Sequence, residues 1–152
     1  MYYLSELVSM SFEDAVAATK DALKRHNFNV LAEIDMREAF RKHLAVDFRP
    51  YLILGACNPQ LAHRAIRTDE EIGSVVVSNI VVQQHDDGRV EISAADPVAA
   101  MGPINHVELM WVTRDIRSAL RRVVDEVGYR PESQRTSPEP KAAGRRQLVH
   151  AA

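Results

Sequence analysis

The chain has 152 residues, of which 46% are hydrophobic and 26% are charged, a length and composition that suit one domain with its own core. Residues 1–128 hold 14 Lys and Arg against 19 Asp and Glu, a net charge of −5, whereas residues 129–152 hold 5 against 2, or +3. The acidic balance of the larger part argues against nucleic-acid binding, and no apolar run approaches the ~20 residues of a membrane helix. Because the single cysteine cannot form an internal disulfide and the first residues lack a signal-peptide pattern, we expect a cytoplasmic protein.

The first half of the chain changes repeatedly between strand and helix periodicity. Ser11 and Asp14 make a helix start that resembles a capping box, and Asp35 with Glu38 marks the start of a shorter helix. Apolar residues alternate with polar ones from Phe28 onward, which indicates a half-buried strand. The predicted elements are a strand over 2–10, a helix over 11–26, strand 28–35, a short helix to 43, and a buried strand over 51–56.

The second half is predicted to contain a hairpin and the longest helix. The residues 85–88, His-Asp-Asp-Gly, supply turn chemistry between two strands rich in β-branched residues. The predicted elements are a helix over 59–67, a polar turn over 68–73, strand 74–84, strand 89–95, a loop over 96–103 and a helix over 105–127. Val107, Met110 and Trp111 lie beside the main apolar stripe of the last helix, and we interpret them either as a partner surface or, preferably, as a wide core-facing stripe.

The order β-α-β-α-β-α-β-β-α predicts an α+β fold, a two-layer sandwich whose mixed sheet of about five strands is covered mainly on one face by helices. The sheet is expected to be mixed because a right-handed crossover around residues 51–66 stands beside a hairpin. Residues 1–128 form the predicted domain, and residues 129–152 form a predicted disordered, Pro-containing basic tail.

Cys57 is the principal candidate for chemistry, because it stands where a buried strand meets a helix start. Asn58 is a good N-cap residue and Pro59 suits the first helical position. The amide donors and the positive dipole end of a helix N-terminus favour a thiolate, so a nucleophilic or redox role is one interpretation. The other is a small hydrophobic residue packed at a strand end.

His63 and Asn58 are the residues that would assist Cys57. The second turn of the predicted helix carries His63, which is a candidate base or ligand, although a helical histidine is more often solvated. Asn58 and the amides that follow it are a candidate anion-binding site. A lone cysteine with irregularly spaced histidines is weak evidence for metal binding, so we assign no metal and no cofactor.

Arg49 is the second candidate for ligand binding. It precedes the buried strand, and the sequence favours a structural ion pair with Asp47 or Asp35 that fixes the entry of the chain. The functional alternative is an arginine whose planar fork binds the carboxylate or phosphate of a small anionic ligand.

Several segments together resemble the family called domain of unknown function 302, over roughly residues 1–128. They are Asp47-Phe48-Arg49-Pro50-Tyr51, the Leu-Gly-Ala-Cys-Asn-Pro run that ends at Pro59, Glu70-Glu71-Ile72-Gly73, Asn79-Ile80-Val81-Val82 and Asp96-Pro97. The resemblance implies a small bacterial or archaeal α/β domain that tends to form dimers and has no established catalytic activity. Many relatives place a second cysteine where this chain has Ser78, so pairing of Cys57 with another thiol of the same chain is excluded.

The sequence does not decide whether the protein is an enzyme. Its leading interpretation is a homodimeric module that binds a small ligand or a partner near Cys57, without nucleic-acid or membrane binding. The alternatives are a thiol-dependent redox or sulfur-handling protein that uses Cys57, and a metal-binding protein that uses Cys57 and His63.

Overall fold

Five strands and six helices make up the part of the chain that the computed structural model describes, residues 2–103 and 105–128. The first elements are β1 (Tyr3–Val8), α1 (Phe12–Arg25), β2 (Asn29–Asp35), α2 (Met36–Leu44), β3 (Tyr51–Cys57) and α3 (Pro59–Thr68). A 3₁₀ turn (Glu70–Ile72) then leads to α4 (Gly73–Val76), β4 (Ser78–Gln84), β5 (Val90–Ala95), α5 (Pro97–Met101) and α6 (Val107–Gly128). The predicted tail over 129–152 lies outside the described residues.

The strands form one sheet in the order β1-β5-β4-β3-β2, and each neighbouring pair is antiparallel. The predicted α+β sandwich with five strands is therefore confirmed, but the sheet is antiparallel rather than mixed. The connection after β3 contains α3, the 3₁₀ turn and α4, and it returns the chain to the same end of the sheet instead of crossing to the opposite end. Ser78 pairs with Ala56, so β4 starts at the end of the sheet where β3 ends.

Helices cover one face of this sheet, as predicted. Alternate residues of the strands, among them Leu54, Ile80 and Ile92, are fully buried, and α1 and α6 pack against β4, β5 and β1 on this face. The predicted apolar stripe of α6 is buried along its whole length: Leu109, Val112, Ile116, Ala119, Leu120, Val123 and Val127. Two threonines in this core donate their hydroxyls to the preceding turn, Thr19 to the Ala15 carbonyl and Thr113 to the Leu109 carbonyl, which satisfies buried polar groups.

A β-bulge changes which side chains of β2 face the helices. The pairing with β3 shifts between Val30 and Ala32, which leaves Leu31 as the extra residue. Beyond the bulge Ala32 lies opposite Gly55 on the uncovered face, and Glu33 turns to the helix side, where it forms an ion pair with Lys20. The apolar face predicted for this strand is therefore wrong beyond Val30, since the inserted residue reverses the alternation.

Two predicted boundaries also differ from the structure. The strand expected from Ser74 begins only at Ser78, because residues 73–76 form α4. The loop expected over 96–103 contains α5, which Asp96 caps by accepting the amide N–H of Val98 at 2.9 Å. Asp96-Pro97 repeats the helix-start signal of Asn58-Pro59, which predicted α3 correctly.

The start of α6 presents apolar residues to solvent. Val107 is 68% exposed and Trp111 is 55% exposed, so the preferred interpretation of them as core residues is wrong. Met110 nearby is 38% exposed. Within residues 2–103 and 105–128, no helix is both long and apolar enough to cross a membrane.

Candidate functional site

Cys57 occupies the junction that its sequence context predicts. It is the last residue of β3, and Pro59 opens α3. The Leu61 amide N–H donates to Asn58 Oδ1 at 3.2 Å, so Asn58 is the N-cap. The predicted placement of the thiol beside a helix start is therefore confirmed.

The surroundings of Cys57 do not favour a thiolate. The side chain is half-buried and packs against the hydrophobic core, and burial raises the pKa of the thiol above its ordinary value. Pro59 has no amide N–H, and the amide of Leu61 is already bonded to Asn58, so the helix start has few donors to offer. The direction of the pKa shift is opposite to the one expected from a helix N-terminus alone.

His63 lies on an exposed face of α3, between the buried residues Ala62 and Ala65 of the same helix. Neither His63 nor Cys57 makes a side-chain hydrogen bond to any residue that the structure describes. In that part of the chain, no three His, Cys, Asp or Glu side chains cluster in a way that would hold a metal ion. The catalytic roles of Cys57 and His63 stay predictions.

Ser78 lies next to this junction, although 19 residues, 59–77, lie between it and Asn58 in the chain. It pairs with Ala56 and is buried, so the position where many relatives are expected to carry a second cysteine is adjacent to the end of β3. Because this chain has a serine at that position, Cys57 has no second cysteine beside it there.

Arg49 makes no ion pair with any described residue, so the predicted pairing with Asp47 or Asp35 is wrong. Its Nη2 donates to Gln83 Oε1 at 3.0 Å, and its guanidinium lies over the ring of Phe48, 4.5 Å from the centroid. The Nε atom is buried and has no hydrogen-bond partner among the residues that the structure describes. Asp35 is engaged elsewhere, since its Oδ1 accepts the Glu38 amide and caps α2.

Aromatic packing explains why Arg49 is held in this place. Phe48 contacts Phe40 of α2 edge to face, with ring centroids 5.0 Å apart, and lies 6.2 Å from Tyr51. The guanidinium is also 5.9 Å from the Tyr51 centroid. The positive charge is therefore fixed by two ring faces and a neutral amide rather than by a carboxylate.

The face of the sheet that lacks helices, hereafter the open face, is hollowed into a cavity of about 340 Å³. Side chains of β1, β3, β4 and β5 line it: Tyr3, Ser5, Tyr51, Asn79, Val81, Gln83, Glu91, Ser93 and Ala95. Small side chains at the middle of the sheet leave the hollow, and the two tyrosines stand at its sides. Arg49 is not itself a lining residue, but it contacts two residues that are, Gln83 through a hydrogen bond and Tyr51 through its ring.

The strand register arranges the polar groups of the open face in rows. Tyr51 lies opposite Gln83, and Gln83 lies opposite Glu91, which makes one row across three strands. Glu91 Oε2 and His85 Nε2 are 2.6 Å apart, so this row ends in a carboxylate–imidazole pair. The next row contains Val81 opposite Ser93.

Sequence reasoning missed this cavity and assigned His85 only to the turn over residues 85–88. The available signal was the alternation in β4 and β5, where polar residues such as Gln83, Glu91 and Ser93 separate the buried ones. That alternation indicates a second, polar face but not a hollow, since the hollow depends on which side chains meet across strands.

Comparisons with known proteins agree with this fold. The model of the family described as domain of unknown function DUF302 matches residues 4–127. The chain belongs to the DUF302 family. A crystal structure of an uncharacterized conserved DUF302 protein from Bacillus stearothermophilus superposes with a TM-score of 0.77 at 26% sequence identity, covering 84% of this chain and 98% of the other. No curated protein matches this chain. Within this DUF302 domain, the structure adds the open-face cavity to the candidates at Cys57 and Arg49 that the sequence predicts.

Proposed function

We propose that this DUF302 chain is a homodimeric cytoplasmic module that binds a small anionic ligand through Arg49. The observation that carries the proposal is a half-buried guanidinium that has no carboxylate partner within residues 2–103 and 105–128. A charge removed from water without an opposite charge is costly, and a buried N–H without an acceptor adds to that cost. An anion beside the guanidinium would balance its charge and so remove the first of these penalties, which supports a binding role.

Arg49 is a better centre for this ligand than Cys57. The guanidinium keeps its charge at every physiological pH and offers a planar set of donors suited to an oxyanion. Burial instead raises the pKa of Cys57 and so disfavours the charged, reactive thiolate. The proposed site is therefore at the Tyr51 end of β3, whereas Cys57 is at the other end of the same strand.

Thermal unfolding in different sodium salts at one ionic strength tests this anion site. We expect acetate, relative to chloride, to raise the melting temperature of the full chain, because a ligand that binds only the folded state stabilises it. The variant Arg49→Gln should lose that increment. Arg114→Gln is the matched control, since Arg114 also stacks on a ring, that of Trp111, but lies on α6. If acetate raised the melting temperatures of the wild type, Arg49→Gln and Arg114→Gln equally, the proposal would be contradicted.

The homodimer is supported by apolar side chains exposed on the open face and its edges. Tyr3 and Leu7 of β1 are 61% and 50% exposed, and Ile34 of the other edge strand, β2, is 46% exposed. A second copy packed on this face would remove that apolar area from water, would limit pairing at the sheet edges and would enclose the open-face cavity between the two copies. Such an interface needs to bury roughly 1,000 Å² or more to be stable.

Sedimentation at low micromolar concentration tests the dimer. The wild-type chain should sediment with twice its monomer mass of 17.1 kDa. Leu7→Lys should shift it toward monomer, because a charge on this face opposes its burial. Ile66→Lys is the control, since Ile66 is similarly exposed on α3. A wild-type monomer, or a dimer that Leu7→Lys leaves intact, would argue against the open face as the interface.

A further inference from the structure

We infer that the open-face cavity takes a flat, largely apolar monocarboxylate, with the carboxylate at Arg49 and Gln83 and the body over Val81 between Tyr3 and Tyr51. This inference rests on the proposed function and names the ligand class for the same arginine. It follows from the contacts of the Arg49 guanidinium with two side chains of the cavity wall, from the other side chains that line the cavity, and from the charge of Glu91 in the row that contains Gln83.

The carboxylate end is defined by Arg49 and Gln83. The hydrogen bond from Arg49 Nη2 to Gln83 Oε1 holds the Gln83 amide in place, and its NH₂ group remains as a donor on the cavity wall. The guanidinium and this NH₂ group together offer donors to the two oxygens of one carboxylate. Tyr51, opposite Gln83 in the register, lines the same end of the cavity.

The body of the ligand is defined by small and apolar side chains. Val81 and Ala95 offer apolar contact, and Ser5 and Ser93 on the neighbouring strands are short enough to leave space above the sheet. The Tyr3 ring bounds the side opposite Tyr51, since β1 is the edge strand next to β5. A volume of about 340 Å³ lies at the lower end of the usual size of small-molecule sites, roughly 300–1,000 Å³.

The charges around the cavity favour a monoanion. Arg49 supplies one permanent positive charge, and Glu91 brings a negative charge to the same row, where His85 pairs with it. Glu91 would repel a dianion such as phosphate more strongly than a monoanion, and among the described residues one arginine, Arg49, contacts the cavity wall. A monocarboxylate balances Arg49 alone, so the lining discriminates by charge as well as by shape.

Calorimetric titration of the full-length protein with 2-naphthoate tests this inference, with 2-naphthol, acetate and inorganic phosphate as comparison ligands. We expect 2-naphthoate to bind about tenfold or more tightly than each of the other three, since it alone supplies both the flat body and the single charge. Arg49→Gln should weaken the binding of 2-naphthoate by about tenfold or more and leave the affinity for 2-naphthol unchanged. Arg114→Gln should leave the affinities for both ligands unchanged.

A second variant tests the contribution of the cavity independently of Arg49. Ser93→Leu fills the hollow beside Val81, and Ser93 is half-buried on the open face. It should abolish the advantage of 2-naphthoate over acetate while acetate still depends on Arg49. Circular dichroism melting of each variant confirms that it folds.

The outcomes distinguish the two proposals. If acetate or phosphate binds through Arg49 but 2-naphthoate binds no more tightly, the ligand class is wrong and anion binding at Arg49 stands. If 2-naphthol binds as tightly as 2-naphthoate, the carboxylate anchor is wrong. If no anion binds in an Arg49-dependent manner, both proposals fail.

Discussion

Arg117 Nε donates to Asp96 Oδ2 at 2.7 Å, which joins the middle of α6 to the end of β5. Asp96 is only 5% exposed, and its other oxygen caps α5 by accepting the Val98 amide. Its backbone N–H donates to the Tyr2 carbonyl at 2.7 Å. One residue therefore links the edge strand β1, the short helix α5 and the longest helix.

Replacement of Asp96 by asparagine should lower the free energy of unfolding by about 1–3 kcal/mol. The amide oxygen still accepts the Val98 N–H, so the loss reports on the charged hydrogen bond to Arg117. Urea unfolding at pH 7 measures it. Asp87→Asn is the control, because Asp87 pairs with Arg89 in an exposed turn and should contribute little. Equal losses for the two variants would contradict a special role for Asp96.

The same aspartate should make stability depend on pH. Desolvation raises the pKa of Asp96, but the hydrogen bonds from Arg117 and from the α5 amides outweigh it and hold this pKa below its ordinary value. The folded state then binds fewer protons than the unfolded state, whose Asp pKa is about 3.9. The stabilisation is complete above about pH 5 and is lost as the pH falls through the folded-state pKa. The stability difference between wild type and Asp96→Asn should shrink over that window, as unfolding curves from pH 7 to pH 3 will show.

Gly128→Ala should destabilise the domain by about 1–3 kcal/mol, because the space for a side chain is occupied. A Cβ atom at this position would lie 2.8 Å from Cβ and 3.0 Å from Cγ of Glu6. Those atoms belong to the base of the side chain, so β1 or the end of α6 must move. Thermal melting of Gly128→Ala beside Gly73→Ala checks this, since nothing lies within 4 Å of a Cβ at Gly73. A melting temperature of Gly128→Ala at or above wild type would refute the close contact.

Ala45→Gly should stabilise the domain by about 1 kcal/mol. Ala45 ends α2 in the left-handed region, with φ of 51°, where a Cβ atom is strained and glycine is not. The residue is exposed, so the exchange removes little packing. Ala17→Gly is the control, since the exposed Ala17 lies inside α1 and should lose about 1 kcal/mol of unfolding free energy. Losses of the same size at both positions would contradict the strain at Ala45.

Alkylation of native Cys57 near neutral pH should be slower than that of the same thiol in the unfolded chain. Burial raises its pKa and restricts access, so the thiolate is scarcer in the folded state. Iodoacetamide kinetics with and without denaturant measure the ratio. Faster reaction in the folded protein would instead restore the interpretation of Cys57 as an activated thiol, and His63→Ala would then show whether the imidazole assists.

Local signals in the sequence were sufficient for most helix boundaries. The caps at Ser11, Asp35 and Asn58 each accept the amide three residues on, as their spacing predicts. The apolar stripe of α6 follows in the same way from helical periodicity alone. These features depend on residues within one or two turns of each other, so no knowledge of the rest of the fold is needed.

Pairing across the sheet was decided only by the tertiary structure. The bulge at Leu31 reverses the faces of β2, and the antiparallel approach of β4 to β3 follows from where α4 ends, neither of which has a local signature. Arg49 and Gln83 are 34 residues apart, and their hydrogen bond depends on the register of β3 against β4. Because a shift of one residue in that register would send Gln83 to the other face, the cavity and its cation exist only in the assembled sheet.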